Sequence, residues 1–392
     1  VTAGNTRYDQ PRNQILLPAL RARRGQTPSA SATTPTTYYG RPMIKAPHWK
    51  WFVPGYFFIA GIAAGVAFFG ALARFFGGPR HRVTVRHARY LALALAIICP
   101  VLLILDLGRP RRFFNMLRVV KIRSPLSLGT WILMAFGVTS GLLAARQMAE
   151  DGFILKRRSP LSRLALLLPD RLLTLIHGAL GMGLGGYTGV LLAATAVPLW
   201  AAAGILLGPL FLAASITSGA AALILTGLLS GRQSRTARGD LEIVASVGAI
   251  TQLGLAAAHE AFVPERIGQP LRHGLWGRVF RYGVLGGGLI APMGLRLLAW
   301  RSGARMERIF SALSAIFTLL GTLAERFALV EAGKISARDP LAYQELTAGA
   351  PGEARPTPAE QGRRAANAQP YRPGVSARDT APQSSPSAKP VE

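Results

Sequence analysis

Eight long apolar runs, separated by short arginine-rich connectors, constrain this chain more than any other feature of its sequence. They lie at about residues 52–76, 89–107, 127–147, 171–196, 205–230, 240–261, 276–299 and 307–330. Each is long enough to cross roughly 30 Å of hydrocarbon as a helix. In lipid a spanning segment must satisfy its own backbone hydrogen bonds, and a helix does so within itself. Charged residues make up 16% of the chain, against about 25% in a soluble domain. The fold class that follows is all-α integral membrane, with about eight transmembrane helices and a membrane domain over 49–335. The tails, 1–48 and 336–392, are rich in Pro, Ser, Thr, Ala and Arg and have no apolar period. They bury too little to offset the entropy of ordering, so both are expected to be disordered.

The net charge of +27 would suggest a nucleic-acid partner in a soluble protein. Here the arginines sit between apolar spans, where they meet lipid headgroups and set topology. No nucleic acid is expected. Connectors at 74–89, 146–171, 231–239 and 301–308 hold 17 Lys and Arg, whereas those at 108–126, 197–204 and 261–275 hold 8. The positive-inside rule then puts the first set in the cytoplasm and both termini outside. The single cysteine, Cys99, lies within an apolar run. It cannot supply the four thiolates of an iron–sulfur cluster, so any such cluster belongs to a partner.

The two halves resemble each other. Residues 56–65, YFFIAGIAAG, align with 210–219, LFLAASITSG, with four identities in ten at an offset of 154. The same offset places Asp106 on Glu260 and Pro110 on Pro264. An offset of four spans makes the repeat parallel, which predicts two similarly oriented four-helix bundles, about 52–197 and 205–332. Glycines four apart, at Gly61 and Gly65, at Gly181, Gly185 and Gly189, and at Gly283 and Gly287, suit close helix packing.

Ionisable groups within a span each cost at least about 2.5–3.5 kcal/mol. The candidates that need a reason are Asp106, His177, His259, Glu260, Arg296, Glu325 and Arg326. Asp106, His259, Glu260, Glu325 and Arg326 are expected near the ends of their spans on the side of the termini. His259 and Glu260 stand where the first half has Leu105 and Asp106, and are candidates for proton exchange; an ion pair with Arg326 is the alternative. Six histidines are too few for a di-haem cytochrome, which needs two ligand pairs, and only His177 with His259 remains for a single haem. No bound metal or haem is expected.

The stretch DLGRPRRFFNMLRVVKIRSPLSLGTWIL, 106–133, has an acidic residue, L-G-R-P, an aromatic-rich loop and S-P-x-S-x-G-x-W. With YFFIAGIAAG in the first span, YTGVLLAATAVPLW at 187–200 and SARDP at 336–340, it resembles the NrfD/PsrC family of polysulfide-reductase-type membrane subunits. The likeness covers about 50–340. It implies a subunit of the bacterial cytoplasmic membrane without metal centres of its own. Such a subunit exchanges electrons between menaquinone or ubiquinone and a ferredoxin-like iron–sulfur subunit, which serves a large molybdopterin or multihaem catalytic subunit. It implies Tyr187, Asp106 and Trp131 at the quinone, with Asp106 exchanging protons, and Arg109, Arg111, Arg112, Phe113 and Phe114 in the docking loop. The first span offers no Asn or His as a quinone ligand. The chemistry agrees with the likeness: reducing a quinone takes two electrons and two protons, so a site needs carbonyl donors and a group that exchanges protons. A stand-alone secondary transporter and a haem-bearing cytochrome b-type anchor are the competing classes, the first sharing the span count and the buried carboxylates.

Overall fold

The computed structural model describes residues 43–347 apart from Pro110, Arg112, Val119, Ile122, Arg123 and 153–158. Eight helices are long and apolar enough to cross a membrane. They are α1 Phe52–Phe76, α2 Arg82–Asp106, α3 Pro125–Asp151, α4 Asp170–Ala193, α5 Gly204–Ser230, α6 Arg235–Phe262, α7 Gly274–Arg301 and α8 Ala304–Ser336. No strand occurs among the described residues.

Their ends follow from local chemistry. Ser234 caps α6 by accepting from the Ala237 N–H at 3.2 Å. Pro125 opens α3, where its missing N–H costs nothing. Gly152 and Gly231 close α3 and α5 with φ of 68° and 63°, a left-handed conformation that a side chain would strain. Residues Val279–Ile290 of α7 are wound as a π-helix. Within that stretch Gly288 lies so close to Gly321 of α8 that a Cβ on it would come 2.6 Å from the Gly321 Cα.

Helices α1–α4 and α5–α8 are taken as a first and a second group, which α1 and α4 join by packing on α5. In the first group α1 packs on α2 and α4, and α3 on α4; in the second α5 packs on α6 and α8, and α7 on α8. Helices α1 and α5 are the most buried of the eight spans and meet along the join between the groups. At that join residues touch their own repeat equivalents. The Phe57 and Phe211 rings stand 6.1 Å apart, edge to face. A Cβ on Gly61 would lie 3.1 Å from Ser215 Oγ, and one on Gly65 would lie 2.9 Å from the Gly219 Cα. Equivalent residues meet in the same order along both helices, so α1 and α5 run parallel.

Three expectations are corrected. Most of both tails lies outside the described residues, but their inner margins are ordered. Ile44, Ala46 and Trp49 pack on the core, and the Trp49 ring stacks on buried Trp200 with centroids 5.2 Å apart. Beyond α8, Pro340–Thr347 forms a further helix with Pro340 and Ala342 buried. Arg266 holds Asp339 at 3.1 Å just before it. Helices α2 and α8 also extend past their apolar stretches, since hydropathy does not register polar turns that continue a helix.

Candidate functional site

Four side chains or gaps converge in the first group, at one depth. Tyr56 of α1, Cys99 of α2, Gly129 of α3 and Tyr187 of α4 lie four to seven residues from the helix ends nearest the termini, about 6–10 Å in. A Cβ on Gly129 would sit 2.0 Å from Tyr187 Cζ and 2.2 Å from its hydroxyl, so the tyrosine ring occupies the space a side chain would fill. Tyr56 and Cys99 belong to one buried core, and α1 packs on both α2 and α4. Tyr56 and Tyr187 are 3% and 9% exposed. A phenol in such a place offers one O–H donor and an acceptor oxygen.

Asp106 ends α2 above this layer, half-buried, and accepts from the Lys50 N–H at 3.4 Å. It lies seven residues from Cys99, about 10 Å along the helix. It is therefore a rim residue and not a deeply desolvated one. Trp131 does not join the layer. It is two residues beyond Gly129, about 200° around the helix, and its indole is on the outer face, 38% exposed. Beyond Asp106 the loop presents Arg109, Arg111 and Phe114 to solvent, with Phe113 half-buried; Arg112 lies outside the described residues. Sequence reading misses Tyr56, whose one signal is a tyrosine a turn into a span otherwise short of hydroxyls.

The second group carries a buried polar series along one face of α6. Arg238 donates to Glu307 at 2.8 and 2.5 Å. One turn further in, Glu242 accepts from Ser311 at 2.5 Å and from the Trp300 indole at 3.1 Å. Arg296 donates to Ser314 and Thr318, both at 3.1 Å. Gln252 donates to Glu325 at 3.2 Å. The Glu325 carboxylate lies 3.6 Å from Arg326, whose guanidinium sits 3.6 Å over the Phe211 ring. One Glu325 oxygen and two Arg326 nitrogens have no hydrogen-bond partner among the described residues.

The apolar pattern puts Glu325 and Arg326 near the end of their span, and the structure corrects this. Because α8 runs on to Ser336, they lie eleven and ten residues from its end, about 15 Å along the helix. Arg326 pairs with Glu325, and not with His259 or Glu260. His259 is buried with its Nε2 unpartnered among the described residues, and the Glu260 carbonyl accepts from Arg272. His177 is in the other group, toward the opposite membrane face. It bonds Thr139 at 3.0 Å and stacks on Phe136. The two histidines are not brought together as one haem's axial ligands. Among the described residues no three His, Cys, Asp or Glu side chains gather as a metal-binding group.

Eight apolar helices, with buried phenols and largely buried ion pairs between them, define a multi-pass membrane protein with polar chemistry in its interior. The chain belongs to the polysulphide reductase NrfD family, which it matches over residues 42–337. It is 29% identical over 310 residues to Protein NrfD of Escherichia coli K12, covering 74% of this chain and 95% of that protein. It is 28% identical over 317 residues to a polysulfide reductase chain of Wolinella succinogenes, covering 73% and 94%.

Proposed function

We propose that this protein is the quinone-reactive membrane subunit of a bacterial respiratory oxidoreductase. It passes electrons between menaquinone or ubiquinone and a ferredoxin-like iron–sulfur subunit, which in turn serves a large molybdopterin or multihaem subunit. The observation that carries the reading is the layer of Tyr56 and Tyr187, two buried phenols from facing helices beneath the loop of Arg109, Arg111 and Phe114. The donors fit a head group with two carbonyl oxygens, since each phenol supplies one O–H. The quinone supplies the two-electron chemistry. Tyr187, braced on Gly129, orients one carbonyl; Tyr56 donates to the other. Asp106 at the rim takes up and releases protons to water. The charged and aromatic loop suits a protein partner on the termini side, which the positive-inside rule places outside the cytoplasm.

The test is quinone affinity and turnover in the purified complex carrying Tyr187→Phe, Tyr56→Phe or Asp106→Asn. Each phenol replacement is expected to weaken affinity about tenfold, the worth of one well-buried hydrogen bond. Asp106→Asn is expected to slow turnover at saturating quinone. Unchanged affinity in both phenylalanine variants would remove the layer from the mechanism.

The series Glu307, Glu242, Arg296, Glu325, continued by His259 and Glu260, supports proton movement through the second group during turnover. Strictly electroneutral turnover in proteoliposomes, read with a membrane-potential dye, would exclude it. A transporter can be built on such a parallel repeat as well; the match to the polysulphide reductase NrfD family favours the quinone reading over it.

A further inference from the structure

A crevice of about 250 Å3 opens between the two groups on the face opposite the termini. Its walls are apolar: Phe69, Leu72 and Phe76 of α1 face Leu241 and Val244 of α6. Its rim is polar and lies at the aqueous end. There Arg80 stands 3.4 Å from Asp240, and His81 bonds the same carboxylate at 3.0 Å. The Arg80 guanidinium is 56% exposed, so most of its donors are unspent. The two segments forming this edge, 77–82 and 231–240, carry Arg80, Arg82, Arg232, Arg235 and Arg238, of which Arg235 and Arg238 turn to Glu307 of α8. Arg82 and Arg232 have no carboxylate partner among the described residues.

We infer that this crevice is a site for one anionic glycerophospholipid, of the phosphatidylglycerol or cardiolipin type. An acyl chain lies along Phe69, Leu72 and Val244, and the phosphate meets Arg80 at the rim. Charge complementarity selects the occupant. A basic pocket between transmembrane helices, at headgroup level, pairs with a phosphodiester, whereas a zwitterionic head brings an ammonium into an arginine-rich edge. The lipid bridges α1 and α6 and so joins the two halves at this end. The inference is independent of the quinone reading.

The full chain in mild detergent is titrated with phosphatidylglycerol and, separately, phosphatidylethanolamine, with bound lipids counted by native mass spectrometry. One saturable phosphatidylglycerol is expected, with weaker phosphatidylethanolamine binding. Arg80→Ala is expected to weaken phosphatidylglycerol binding about fivefold, the worth of one interfacial arginine. Val244→Trp fills the crevice and is expected to remove the site. Equal affinity for the two lipids overturns the inference, as does unchanged phosphatidylglycerol binding in Arg80→Ala. So does displacement of the lipid by a short-chain quinone, which would assign the crevice to that ligand. Should Val244→Trp fail to fold, Arg80→Ala decides alone, since its side chain is at the surface.

Discussion

Replacing Gly65 by alanine tests the join between the halves. A Cβ at Gly65 would lie 1.9 Å from the Ser215 carbonyl oxygen and 2.9 Å from the Gly219 Cα, both of them backbone atoms. Ordinary contact needs about 3.5–4.0 Å. Helices α1 and α5 must therefore separate by more than about 1 Å locally to approach that distance, and every contact along the join loosens with them. A radial gap of about 0.5–1 Å forfeits about a quarter to a half of each dispersion well. That places the change at the upper end of overpacking, about 3 kcal/mol. Alanine's better helix propensity returns at most about 1 kcal/mol, leaving a net loss of about 2 kcal/mol. The control is Gly137→Ala on α3, where a Cβ meets nothing within 4 Å. The assay is unfolding of the purified chain in mild detergent, followed by tryptophan fluorescence. Gly219→Ala should cost about as much as Gly65→Ala, and the double variant less than their sum, because one separation relieves both. If Gly65→Ala unfolds together with Gly137→Ala, the close approach of α1 and α5 is wrong.

Other outcomes follow from the same contacts. Arg326→Leu strands the buried Glu325 carboxylate and should cost about 3–5 kcal/mol, while Glu325→Leu with Arg326→Leu should recover most of it; denaturant titration distinguishes the two. Trp200→Phe removes the 2.8 Å bond from the indole to the Leu329 carbonyl and weakens the stack on Trp49. It should cost about 1–3 kcal/mol in the same titration. Gly129→Ala pushes the Tyr187 ring out of its place. It should weaken quinone binding in the complex by about tenfold or more, whereas Gly141→Ala on the same helix, facing open space, should leave it unchanged.

The sequence makes the spans legible because lipid imposes one rule along the whole chain: a long apolar run must be a helix. The first and fifth runs begin and end within a residue of α1 and α5. The apolar pattern stops short of the ends of α2 and α8, because Arg82, Arg86 and Arg89 at one end, and Glu331 and Lys334 at the other, continue a helix that hydropathy no longer sees. The same blindness misjudges how far Glu325 lies from the end of α8, because polar turns hide that end. In the site, resemblance reaches Tyr187 and Asp106. It does not reach Tyr56, because nothing about a lone tyrosine near the start of a span distinguishes a facing donor from an interfacial anchor. Trp131 is open to correction from the sequence itself. Once Gly129 is placed inward, a residue two positions on must point nearly the other way. The internal repeat aligns the right residues, but only the fold brings each one against its own equivalent.

Contact of Phe57 with Phe211 and of Gly65 with Gly219 is what a self-complementary dimer interface produces, where residue i of one copy meets residue i of the other. A four-helix ancestor pairing with itself would have been bound to one residue type on both sides of its axis. A single chain carrying both halves is free of that constraint. Gly61 now faces Ser215, and the Leu105–Asp106 pair of the first half is His259–Glu260 in the second. Each half keeps its own largely buried ion pair, Arg89 with Asp170 in the first and Arg238 with Glu307 in the second, at positions that do not correspond, which no homodimer can encode.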